Sequence, residues 1–173
     1  MSKKFVYHAS VSFSLLVSQE IQNTVILMKL NTIAVNTRHI ENITELMQLY
    51  CPSVLRTHCF NNQNLPFRQE VKATEIGHLF EHILLEELCV NKLACGVRSA
   101  IFNGRTNWNW IKEPRGLFHI IIDAGFSDHL VFSTALAHAV EITESLLFHL
   151  PDHQKYHALS FASPYELESY LSM

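Results

Sequence analysis

The chain has 173 residues, 48% of them hydrophobic and 17% charged, with a formal net charge of −3. That composition suits one globular domain over residues 1–173, able to bury a core, and excludes an intrinsically disordered chain. Without a long basic run, neither nucleic acid nor an anionic membrane is expected as a partner.

In chain order, Phe5–Val17 partly alternates and predicts a strand. The apolar stretch after Lys3 and Lys4 is broken by His8, Ser10, Ser12 and Ser14, which argues against a signal peptide. Thr24–Leu30 is a second β-rich run. Thr37–Tyr50 places Ile40, Ile43, Leu46, Met47 and Tyr50 on one helical stripe that stops before Pro52. Asn61–Pro66 is a polar loop. Thr74 reads as the N-cap of a helix running to about Lys92, with Gly96 closing the region. Val97–Asn103 reads as a strand, Gly104–Gly116 as a polar excursion carrying Trp108 and Trp110, and Leu117–Ala124 as a buried strand. A long helix spans Leu130–Leu150 and stops at Pro151, and a short one follows at Pro164–Leu171. No run of eighteen apolar residues is present, so no membrane span is expected. This order predicts an α+β fold, a mixed or antiparallel sheet with two long helices packed on one face. Cys51, Cys59, Cys89 and Cys95 form no C-x-x-C pair, so free thiols in a reducing cytoplasm are expected.

The helix Glu75–Leu88 carries the chemistry. Ile76, Leu79, Phe80, Ile83, Leu84, Leu85 and Leu88 cover most of its circumference, so it should be largely buried. It also carries His78, Glu81 and His82, and burying a carboxylate is costly unless it is paired or near a metal. Residues four apart share a helical face, so His78 and His82 point the same way, as two imidazoles gripping one zinc ion must. Glu81 sits beside them, suited to take a proton from a water activated by the metal. The spacing H-x-x-E-H is the inverted zinc motif. The bland reading, two histidines satisfied by hydrogen bonds in a core, competes with it.

A catalytic zinc needs a third protein ligand. Glu86 is eight residues from His78, about 12 Å along a straight helix, which favours a supporting position over ligation. Glu141 belongs to a polar stripe, Thr134, His138, Glu141 and Ser145, on the second long helix. Asp123 ends a strand. All three stay open, and a solvent face explains the stripe equally well. Arg105 offers bidentate binding of a substrate carboxylate, against the plainer reading of a surface arginine after a turn glycine. Trp108 and Trp110 either line a substrate groove or cap the core.

The segments Val25-Ile-Leu-Met-Lys-Leu-Asn31, Gly77-His-Leu-Phe-Glu-His-Ile-Leu-Leu-Glu86, Gly104-Arg-Thr106 and Gly116-Leu-Phe-His-Ile-Ile-Ile-Asp123 resemble, in order and spacing, the N-terminal domain of cyanophycin synthetase. The core of the resemblance covers about residues 25–150. The motif alone also resembles the pitrilysin/insulinase metallopeptidases, in which a later helix supplies the third ligand; that likeness points to Glu141. The resemblance implies a domain that handles the polymer and, in some members, hydrolyses it as a zinc peptidase. No G-x-x-x-x-G-K-[ST] loop accompanies it. The expected function is therefore zinc-dependent hydrolysis of a peptide or isopeptide bond in a peptide or polymer substrate. The alternative is a non-catalytic polymer- or protein-binding module with a structural histidine cluster. An oligomer is left open.

Overall fold

Alternation in the N-terminal third builds the sheet. The computed structural model describes residues 5–60, 64–155 and 163–172. Its strands are β1 (Phe5–Ala9), β2 (Phe13–Gln19), β3 (Thr24–Leu30), β4 (Gly104–Asn107) and β5 (Leu117–Ile122). They form one five-stranded sheet in the order β1-β2-β3-β5-β4, antiparallel throughout. The register pairs Leu15 with Met28 and Met28 with Phe118, and Val17 with Ile26 and Ile26 with Ile120. Successive side chains of a strand face opposite ways. These residues therefore share one face and enter the main core with the helices, while Leu16, Leu27 and Leu117 form a small second cluster on the other.

The helices are α1 (Ile43–Tyr50), α2 (Phe67–Glu70), α3 (Ile76–Ala94), α4 (His129–Leu147), α5 (Asp152–Lys155) and α6 (Pro164–Ser169). The two long ones, α3 and α4, pack against each other and bury their apolar faces in the main core. Phe126–Leu147 has the length and apolar composition of a membrane span. Its Phe132, Ala135, Ala139 and Leu146 are nonetheless buried in that core. Leu167 of α6 covers the opposite sheet face.

Four expectations change. The single strand over Phe5–Val17 is two strands, because Ser10–Ser12 turns back with Ser10 N donating to Phe13 O at 2.9 Å. Glu144 of α4 holds that turn, accepting from the Ser12 amide at 3.0 Å and from the Ser10 and Ser12 hydroxyls. The helix over Thr37–Tyr50 is interrupted by Asn42 at φ 54, a left-handed conformation that asparagine tolerates, so α1 starts only at Ile43. Val97–Asn103 is not a strand. The edge of β5 is met only from Gly104 on, and Asn103 instead donates through its amide (2.7 Å) and Nδ2 (2.8 Å) to the Asp123 carboxylate. Thr74 is not the N-cap of α3. Glu75 holds that position without a side-chain cap, and the Thr74 hydroxyl is engaged with His78.

Two glycines permit the approach of α3 to the sheet. A Cβ on Gly77 would lie 2.3 Å from Cγ of the buried Phe118 ring, so only glycine lets the start of α3 rest on β5. A Cβ on Gly104 would lie 2.9 Å from Glu81 Oε1, so glycine also lets β4 pass over that carboxylate.

Candidate metal centre

The first turns of α3 and the extended segment after α1 meet at a cleft of about 610 Å³. On α3, His78 and His82 stand four residues apart, and their rings lie 4.8 Å apart at 73°. Opposite them, Thr57 and Cys59 stand two residues apart on extended chain, held by hydrogen bonds from Cys59 N to Leu65 O (3.1 Å) and from Phe67 N to Thr57 O (2.9 Å). Four helical residues rise about 6.0 Å and two extended residues about 6.6–6.8 Å. The two spacings match, and the side chains meet in pairs. Cys59 Sγ lies 3.3 Å from His78 Nε2, and Thr57 Oγ1 lies 3.5 Å from His82 Nδ1.

The ligand atoms of Cys59, His78 and His82 all lie within 4.8 Å of one another. Phe67, fully buried, stacks on His82 at 4.0 Å and stands edge-on to His78 at 6.1 Å, which fixes the orientation of both rings. Burial holds both imidazoles neutral. It lowers the pKa of His78, against a smaller opposing effect of Glu70, and lowers that of His82 to about 3, with His78 adding to the effect. Neutral imidazole is the ligating form, so little proton competition remains near neutrality. One thiolate and two imidazoles suit zinc better than magnesium or calcium, which prefer oxygen.

Glu81 lines the same cleft and is 4% exposed. Burial raises its pKa to about 7, partly offset by the Thr106 hydroxyl, which donates to Oε2 at 2.5 Å. A carboxyl poised there holds or releases a proton near neutral pH.

The other candidate ligands are dispersed. Glu86 lines the cleft but is outside the Cys–His–His cluster. Asp123 is exposed and engaged by Asn103. Glu141 lies exposed on α4, away from the cleft-lining residues; its stripe is a solvent face, where Thr134 and Ser145 donate to carbonyls four residues back and His138 pairs with Glu87 at 2.9 Å. Cys59, expected as an ordinary free thiol, is the residue the fold brings beside the two histidines. Its only trace in the sequence is a cysteine beside His58 in a polar stretch, with no paired cysteine to announce a ligand.

Arg105 lies at the cleft rim on the exposed edge strand, in register with Ile121. Alternation thus roots it on the sheet face opposite to that of Thr106 and Glu81. The tryptophans divide their roles. Trp108 is 39% exposed and lines the cleft, whereas Trp110 donates to Leu117 O at 3.0 Å and lies beneath the Arg115 guanidinium.

Fold and site together define an α+β domain in which α3 and the extended segment carrying Cys59 bring a Cys–His–His cluster that could hold a metal ion, and the Glu81 carboxyl, to one cleft. A family model described as the cyanophycin synthase-like N-terminal domain matches residues 25–148, well over half of the chain, and the chain belongs to that family. No curated protein matches it.

Proposed function

We propose that this protein is a zinc-dependent hydrolase of peptide or isopeptide bonds, acting on a cyanophycin-like polymer. The observation that carries the reading is the meeting of three metal-ligating side chains and a carboxyl with a raised pKa in one cleft. Cys59, His78 and His82 would hold the metal. A zinc ion held there would supply Lewis acidity toward water and toward the scissile carbonyl. Glu81 is the proton carrier: it accepts a proton from the attacking water and returns it to the leaving amine, while Thr106 keeps one oxygen fixed. Trp108 offers a flat apolar wall to the substrate, and Arg105 at the rim meets a substrate carboxylate. Glu86 lines the same cleft as a supporting acid. A reducing, cytoplasmic setting would keep the Cys59 thiol available.

A second reading follows from the same donor set. Thiolate ligands are common in structural zinc sites, and a site of that kind would make the domain a polymer- or protein-binding module. The test is zinc-loaded protein incubated with cyanophycin and with unrelated peptides, scored by new amino termini. Glu81→Gln should keep its zinc and lose at least about 100-fold in rate. Cleavage of neither substrate refutes the hydrolase and favours the module; loss of zinc from Glu81→Gln makes Glu81 a ligand.

A further inference from the structure

Each histidine of the cluster has a threonine hydroxyl at its far nitrogen, and the two threonines come from different segments. His78 Nδ1 lies 2.8 Å from Thr74 Oγ1, and His82 Nδ1 lies 3.5 Å from Thr57 Oγ1. We infer that Thr74 and Thr57 are positioning residues that hold both imidazoles as the Nδ1–H tautomer, so that Nε2 of each is the metal-ligating atom. The inference rests on the metal reading above but concerns the ring nitrogens alone, not hydrolysis.

For His82 the direction of the hydrogen bond follows from the hydroxyl. Thr57 Oγ1 donates its one hydrogen to Val54 O at 2.8 Å. Toward His82 it therefore only accepts, so the contact is a hydrogen bond in the tautomer that carries the proton on Nδ1. For His78 the direction follows from the sulfur. Cys59 Sγ lies on the Nε2 side at 3.3 Å, so an ion shared with Cys59 needs the Nε2 lone pair. That leaves the proton on Nδ1, donated to Thr74. Thr74 is itself immobile: it is 2% exposed, its amide donates to Thr37 Oγ1 at 2.9 Å, and its carbonyl accepts from Thr37 N at 2.8 Å. The hydroxyl stands one turn before His78 and is pinned by backbone. The partners are neutral hydroxyls rather than carboxylates, so a thiolate and two neutral imidazoles around a divalent ion leave the centre with net charge of about +1. That favours an electrophilic metal.

The test uses full-length protein labelled with 15N at histidine, free of metal and loaded with zinc. With zinc bound, both histidines should show Nδ1 protonated and Nε2 metal-bound; His82 should keep Nδ1 protonated without metal as well. Thr74→Val keeps the shape and backbone bonds of Thr74 and should weaken zinc binding about 10- to 100-fold, measured by chelator competition; Thr74→Ser should restore it. Thr57→Val supplies the same comparison at His82 should Thr74→Val not fold. Metal at Nδ1 of either histidine, or unchanged zinc affinity in a folded threonine-to-valine variant, overturns the inference while leaving the hydrolase reading intact. Failure of the wild-type protein to take up zinc refutes the metal reading and the role of Thr74 with it, and the metal-free tautomer of His82 still decides the role of Thr57.

Discussion

Replacing Cys59 by alanine separates the candidate ligand that the fold supplies from those the sequence suggested. The thiol is 5% exposed and lies 3.3 Å from His78 Nε2, within a cluster whose ligand atoms lie no more than 4.8 Å apart. A ligand that binds only the folded state at 1,000 times its Kd stabilises it by about 4 kcal/mol. In a domain of this size each kcal/mol raises Tm by roughly 2–4 °C, so saturating zinc should raise the wild-type Tm by about 8–16 °C. Losing a ligand should weaken binding by on the order of 100-fold or more, at least what losing an orienting partner can cost. At the same zinc concentration Cys59→Ala would then gain only about 1.4 kcal/mol, a rise of roughly 3–6 °C. Glu141→Gln, changed on the solvent face of α4, should match the wild type. The assay is thermal unfolding by circular dichroism, with and without zinc, in a weakly chelating buffer. An equal zinc-induced rise in Cys59→Ala and wild type would refute ligation by Cys59. A rise lost in Glu141→Gln would return the third ligand to the second long helix.

Three further outcomes follow from the geometry. Thr106→Val removes the hydrogen bond to Glu81 Oε2 without removing a metal ligand, so zinc content should hold while kcat falls about tenfold, the equivalent of one charged hydrogen bond; an unchanged kcat would deny Thr106 its role. In metal-free protein the buried histidines stay neutral while the unfolded chain protonates, so their contribution to stability is lost as pH falls below 6.5. Glu81, with its pKa raised from 4.5 to about 7, acts oppositely and costs stability as pH rises through that window. Metal-free Glu81→Gln should therefore show a steeper gain in denaturant-measured stability between pH 4.5 and 6.5 than wild type, and equal slopes would contradict the assignment. Gly77→Ala drives a methyl to 2.3 Å from the Phe118 ring and should destabilise the fold by roughly 1–3 kcal/mol, read from the urea midpoint; a neutral effect would mean that α3 does not rest on β5.

Local pattern determined much of this protein. The apolar surround of Glu75–Leu88, interrupted by two histidines and a glutamate, was enough to mark a buried helix with a polar purpose, because i and i+4 share a face in any α-helix. The β-rich run of Thr24–Leu30 and the apolar run at Leu117–Ala124 likewise marked β3 and β5. Helix or strand type was legible there because it depends on neighbours within a turn or two. What only the tertiary structure decided was which distant residue completes each group. Cys59 lies 19 residues before His78 on a chain without regular period, so no spacing rule connects them. Thr106 reaches Glu81 from an edge strand 25 residues on, and Arg105 is rooted on the opposite face because the β4–β5 register sets it there. The polar stripe of α4, legible as a stripe, became a solvent face once Ala135, Ala139 and Leu146 took the side toward the core. A helix defines its own faces, but their partners are chosen by packing, and packing is a property of the whole chain.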